Sequence, residues 1–299
     1  ILEKSRQVGA TVFVHAENGE ILNFLRSECV KKGQLTPHYH YVSRPPFTEA
    51  EAVRRAIYLA GQTDTPLYIA HMTCREAIAE LQKAKGTGQR VSGETCTHYL
   101  TTTKEVLDNP DFNEAAKFVC SPALRDQEDC EALWQALAGG LLTAVSSDHC
   151  GIDVAELKQA GRDDFTQIPN GSPGAGDRLH VVWTEGVCTG KLSRQKFVDV
   201  IATQPAKING IYPRKGTLAV GSDADIVIFD PSYEGVIRLA DNPNGVDYNL
   251  YEGRRQSGRV ETVLLRGQVV VENAKFVGRY GQGQFIPASM YASGYENRN

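Results

Sequence analysis

Three side chains able to hold a metal ion or move a proton, His15, His71 and Asp148, each close a short apolar run and each lead into a loop. Neutral imidazole nitrogens and a carboxylate oxygen suit zinc or a similar divalent ion, and a catalytic ion keeps one position for a water whose pKa falls to about 7. The aspartate has a second use: beside such a water it accepts the proton during attack and returns it to a leaving nitrogen. One histidine at a strand end reads as structural. Three matched groups at the same relative position read as a site.

The runs behind them have strand length: Ala10 to His15, Pro66 to His71 and Leu141 to Ser147, with a shorter one from Arg90 to Glu94. Amphipathic stretches alternate with them, at Glu20 to Lys32, Glu49 to Leu59, Arg75 to Lys85 and Asp126 to Leu137. This alternation marks βα units around a buried parallel sheet. In a parallel α/β barrel the carboxyl ends of the strands share one rim, so residues distant in sequence meet there. The stripe Ala52, Ala56, Leu59 reads as the core face of a helix. From Tyr212 the texture changes to Gly-punctuated strands, at 216–221, 224–230, 260–267 and 268–272, which predict antiparallel hairpins in a second, smaller β unit. The expected division is 1–212 for the barrel part, 213–285 for the small β unit and 286–299 for a tail. The stretch from Gly281 onward is expected to be a mobile end or an arm that orders on a neighbouring subunit.

Among the 299 residues, Lys+Arg 32 against Asp+Glu 36 gives a net charge of −4, without the basic excess that nucleic acid or anionic lipid selects. No apolar run approaches the ~18 residues of a membrane span. Seven scattered cysteines without CxxC spacing fit neither a disulfide framework nor a thiolate zinc site and suggest a reducing, cytoplasmic setting. The charged, helical opening Ile1-Leu-Glu-Lys-Ser-Arg-Gln is unlike a signal peptide and reads as the middle of a longer chain.

Ten segments in order carry a resemblance. They are His15-Ala-Glu-Asn-Gly19, Ser43-Arg-Pro45, Tyr68-Ile-Ala-His71, Gly93-Glu-Thr-Cys96, Ser121-Pro-Ala-Leu-Arg125, Ser147-Asp-His-Cys150, Ile168-Pro-Asn-Gly171, Tyr212-Pro-Arg-Lys-Gly216, Asp223-Ala-Asp225 and Tyr248-Asn-Leu-Tyr-Glu-Gly253. From about residue 10 to about residue 287 the chain resembles the dihydropyrimidinase and D-hydantoinase family of cyclic amidohydrolases. The resemblance implies an α/β TIM (β/α)8 barrel, here its second half, with a small β-sandwich domain. It also implies two divalent ions, usually zinc, and the opening of hydantoins or 5,6-dihydropyrimidines to N-carbamoyl amino acids. By motif, His15 and His71 match the two histidines on one metal. Asp148 matches the aspartate that binds the other and shuttles the proton. Ser121 and Asn170 match positions whose main-chain groups hold the substrate's amide and imide. The family's homotetramer and cytoplasmic location come with the same likeness.

Family members also carry a His-x-His pair and a carboxylated lysine bridging both metals, upstream of the strand matched by Ala10 to His15, and neither occurs in these residues. His38-Tyr39-His40 imitates the pair but falls in a Pro-flanked loop after His15. The expectation is therefore that these residues are the carboxyl-terminal portion of a longer enzyme and, alone, hydrolyse negligibly. Gly176 stands where relatives often have Glu. His98 resembles an allantoinase or dihydroorotase feature, though its simpler reading is a loop residue packed on Tyr99. His149 reads as a loop residue or a group orienting the site, Cys74 and Cys150 as buried structural thiols, and Glu17 and Asn18 as shaping the turn after His15. The alternative functions are a non-catalytic dihydropyrimidinase-like scaffold, disfavoured because His15, His71 and Asp148 all survive, and an allantoinase or dihydroorotase.

Overall fold

The computed structural model describes residues 1–290; residues 291–299, the end of the expected tail, lie outside the described residues. Four short strands, β1 (Val12–Val14), β2 (Leu67–Ile69), β3 (Val91–Cys96) and β4 (Ala144–Ser146), form one parallel sheet in the order β1-β2-β3-β4. Val12 pairs with Leu67, Leu67 with Val91 and Glu94 with Ala144, so the carboxyl ends are aligned. At Gly93 the sheet is closely packed: an added Cβ would lie 2.6 Å from the Met72 sulfur and would force that buried side chain to shift.

The helices are α1 (Leu2–Gln7), α2 (Gly19–Lys31), α3 (His38–Val42), α4 (Pro46–Gln62), α5 (Arg75–Gly86), α6 (Thr97–Thr101), α7 (Phe112–Ala116) and α8 (Gln127–Ala138), followed by short turns and by two longer helical segments over 178–187 and 194–208. Asn18 caps α2 by accepting from the Ile21 amide, as expected of a turn-shaping residue, and Pro46 occupies the first position of α4. The core face of α4 is Ala52, Val53, Ile57 and Ala60, while Leu59, expected in that face, is exposed. At about 100° per residue Leu59 lies about 20° outside Ala52 and about 100° from the middle of this face, at its solvent edge. With Ala77, Ile78 and Leu81 of α5 and Leu133, Trp134 and Leu137 of α8, this face joins Leu67 and Ile69 in one core. Each fully buried Leu or Ile contributes about 1.5–3 kcal/mol.

A second, antiparallel sheet has the order β5-β6-β7-β8, from β5 (Ile226–Val236), β6 (Arg255–Leu265), β7 (Gln268–Glu272) and β8 (Lys275–Phe276). Leu265 pairs with Gln268, leaving Arg266 and Gly267, both at positive φ, as the two-residue turn that suits strand twist. The expected strand at 216–221 does not form. Gly216 and Gly221 both take positive φ, and the segment runs as turns. Phe229 of β5 packs on Trp183 at 4.9 Å between ring centroids, tying the sheet to the helical layer. The described part of the tail docks on its own chain: the Ser289 amide donates to the Gly210 carbonyl at 2.8 Å. Among the described residues no helix is long and apolar enough to cross a membrane.

Candidate metal centre

His15 follows β1 directly, and His71 and Asp148 stand two residues beyond β2 and β4. The last two hold left-handed backbone, with φ of 32° for His71 and 44° for Asp148, which costs a non-glycine residue about 1 kcal/mol. The same turn at two parallel strand ends aims both side chains over the rim.

There His15 Nδ1 and His71 Nε2 face each other at 2.9 Å, with the rings edge to face. Two imidazole nitrogens so placed either share a proton or share a cation. Both are neutral-imidazole donors of the kind divalent ions take, so the pair fits a metal. Burial, partly opposed by the Asp148 charge, pushes the His71 pKa below its ordinary value and keeps a lone pair available. Asp148 itself is exposed. It groups with Cys96 and His98, one donor atom from each lying within 4.8 Å of the others. The three residues singled out in the sequence thus share the rim as a contacting histidine pair and a carboxylate acting on it through its charge.

The pair is braced from behind. The Glu17 carboxylate accepts from His15 Nε2 at 3.0 Å and lies 3.4 Å from Arg44. Burial pushes the Glu17 carboxyl up, but the His15 hydrogen bond and the Arg44 charge outweigh it and hold it below its ordinary value. Arg125 donates to the Arg44 carbonyl, to Thr73 Oγ1 at 2.9 Å and to Glu49 at 3.1 Å, while Glu49 accepts from the Thr73 amide at 2.8 Å. Thr73 is two residues past His71, so one buried lattice holds both histidines. Sequence reading assigned Glu17 to a turn and gave Arg44, Glu49 and Arg125 no role. The available signal was the two-residue offset of Glu17 from His15, which in extended chain puts both on one face.

Ser121 is half-buried and Asn170 exposed, on segments joined by main chain: the Gly171 amide donates to the Val119 carbonyl at 3.0 Å. Lys158 is fully buried and donates to the carbonyls of Ala116 (2.7 Å), Val119 (3.3 Å) and Gly171 (2.8 Å), clamping the same segments. His149 Nδ1 accepts from the Gly174 amide at 3.3 Å, orienting the loop after Asn170.

Other expectations need correction. His38 to His40 lie in α3, not a loop, and His40 Nε2 donates to the Cys120 carbonyl at 2.8 Å, a structural bond. His98 packs on Tyr99 as expected, at 4.1 Å between ring centroids, but in α6 and almost fully buried. Cys74 is buried, whereas Cys150 is exposed because it follows Asp148 in irregular chain that no layer covers. Glu94, also unassigned, accepts from Tyr68 and Ser146 hydroxyls at 2.8 Å each and links three strands beneath the site.

The Amidohydrolase family profile matches residues 1–270, and the chain belongs to that family. It is similar to the D-hydantoinase of Ralstonia pickettii, 47% identical over 97% of this chain and 63% of that protein. The D-hydantoinase of Rhizobium radiobacter is 48% identical with the same coverage. The crystal structure of dihydropyrimidinase from Brevibacillus agri NCHU1002 superposes with a TM-score of 0.95 at 44% identity, over 97% of this chain and 63% of that one. The chain therefore spans less than two thirds of the length of these relatives.

Proposed function

We propose that this protein is a metal-dependent cyclic amidase that opens hydantoins or 5,6-dihydropyrimidines to N-carbamoyl amino acids. The observation that carries the reading is the His15–His71 nitrogen pair at 2.9 Å, on the carboxyl rim of a parallel sheet in an amidohydrolase chain. Its similarity to proteins named D-hydantoinase and dihydropyrimidinase supports the substrate class. On this reading the four parallel strands are the second half of a (β/α)8 barrel, residues 1–212. Residues 213–285 form part of a small β-sandwich domain and 286–299 the tail, and the enzyme works as a cytoplasmic homotetramer.

His15 and His71 hold one divalent ion and Asp148 the other, zinc being the ion that this donor set suits. When bound, the ions supply Lewis acidity that acidifies water and polarises the ring carbonyl. Glu17 keeps the His15 ring aimed and its Nδ1 free. Asp148 takes the proton of the attacking water and delivers it to the departing ring nitrogen. Main-chain groups at Ser121 and Asn170 hold the amide and imide of the ring, and the Lys158 clamp sets the spacing of their segments.

The test is a panel of hydantoin, dihydrouracil, allantoin and dihydroorotate offered to the full-length, metal-loaded protein and to Asp148→Asn. The wild type is expected to open the first two, and the variant to lose at least about 10²-fold in kcat, the scale of a general acid–base group. No turnover of any ring by metal-replete protein defeats the proposal. Preference for allantoin or dihydroorotate would reassign the substrate.

A further inference from the structure

Cys96 at the end of β3 and His98 in the first turn of α6 take no part in the hydrolysis outlined above. Each nonetheless places a donor atom within 4.8 Å of the other's and of an Asp148 carboxylate oxygen. Both side chains are almost wholly buried, and His98 Nε2 has no hydrogen-bond partner, a standing cost unless something occupies it. Cys96 Sγ lies 3.2 Å from the Ser146 hydroxyl, which is itself engaged with Glu94. The sulfur is therefore fixed in place.

We infer that Cys96, His98 and Asp148 form a second site for a thiophilic divalent cation, one that shares Asp148 with the hydrolytic centre and on binding takes it away from hydrolysis. Sulfur, imidazole nitrogen and carboxylate oxygen together favour zinc and its softer congener cadmium over magnesium or calcium. Ligand bonds of about 2.0–2.3 Å put donors about 3.3–3.8 Å apart around a tetrahedral ion, so rotation of His98 and Asp148 by about 1–1.5 Å toward the held sulfur closes the site. Binding exchanges the Cys96 S–H bond for a sulfur–metal bond and releases the proton to solvent, without change of oxidation state. Excess zinc then inhibits through the same carboxylate that catalysis needs. That inhibitory half rests on the hydrolase reading; the binding half does not.

The experiment uses the full-length, metal-loaded protein with exposed Cys150 and Cys188 replaced by Ser, and cadmium as the probe. Cadmium titration is followed both by the ultraviolet thiolate-to-cadmium charge-transfer band and by the rate of ring opening. The expected result is a saturable band, absent in Cys96→Ser and requiring about tenfold more cadmium in His98→Gln. Hydrolysis should fall in step with the band. A parent protein without the band, or a band that survives Cys96→Ser, overturns the site. A band that develops with hydrolysis unchanged overturns the competition for Asp148. Should ring opening be absent before cadmium is added, the hydrolase reading fails, and the band still decides whether the site exists.

Discussion

Replacing Glu17 by Gln removes the charge behind His15 while keeping the side chain's shape. The carboxylate is 3% exposed and accepts from His15 Nε2 at 3.0 Å. Loss of such an outer partner typically weakens metal binding about 10–100-fold, which is about 1.4–2.8 kcal/mol. A hydrogen bond to a charged group contributes about 1.5–3 kcal/mol, so two independent routes give the same size. Arg44, with a side chain only 7% exposed, loses its counter-charge as well, and some fall in thermal stability should accompany the change. The assay is competition for zinc between the full-length protein and a chelating dye, below the unfolding temperature of the variant. Glu17→Gln should release its more weakly held metal at about 10–100-fold lower chelator strength, with kcat of the fully loaded enzyme changed much less. Unchanged zinc affinity in a folded variant would refute the reasoning, since His15 would then owe neither its tautomer nor its aim to Glu17.

Lys158→Met should raise KM several-fold with a smaller change in kcat, because the carbonyls of Val119 and Gly171 lose their common cation; steady-state kinetics decide it. Burial lowers the Lys158 pKa from 10.5 to about 8, so between those values the unfolded chain holds the extra proton and wild-type stability rises with pH, a rise that denaturant titration should find missing in Lys158→Met. Because Ser121 is expected to act through main chain, Ser121→Ala should change KM less than about threefold, within ~0.6 kcal/mol. Gly171→Ala should raise KM far more, since its φ is 139° and an added Cβ would lie 2.6 Å from Cys150. Burial, with the Arg44 charge, drives the His40 pKa from 6.5 to about 3, so the unfolded chain binds the extra proton in that window and stability falls as pH falls through it. His40→Gln should flatten that acid limb in thermal melts followed by circular dichroism.

Strand and helix positions were readable in the first two thirds because hydrophobic period is local: Arg75 to Lys85 was expected, and α5 spans Arg75–Gly86. The same local reading failed at 216–221, where the apolar run Leu218-Ala219-Val220 between two glycines looks like a strand but pairs with no strand among the described residues. Leu59 and Cys150 were misplaced for a related reason, since exposure depends on what covers a residue and not on its own type. Glu17 was assigned only to a turn, and Arg44, Glu49 and Arg125 went unassigned, because each is an ordinary charged residue in sequence; only their convergence turns them into the brace behind two histidines.

What the residues determined unaided was the chemistry on offer: two imidazoles and a carboxylate, each at the mouth of an apolar run, in an order of motifs specific enough to name a family. What tertiary structure alone decided was the partnership. Residues 56 positions apart in the chain, His15 and His71, are brought to 2.9 Å by the aligned register of parallel strands, and Asp148 is turned toward Cys96 and His98 by a left-handed residue no composition announces. Propensity and period act over a few residues, whereas register and rim geometry are set by cross-strand hydrogen bonds and helix packing over the whole fold.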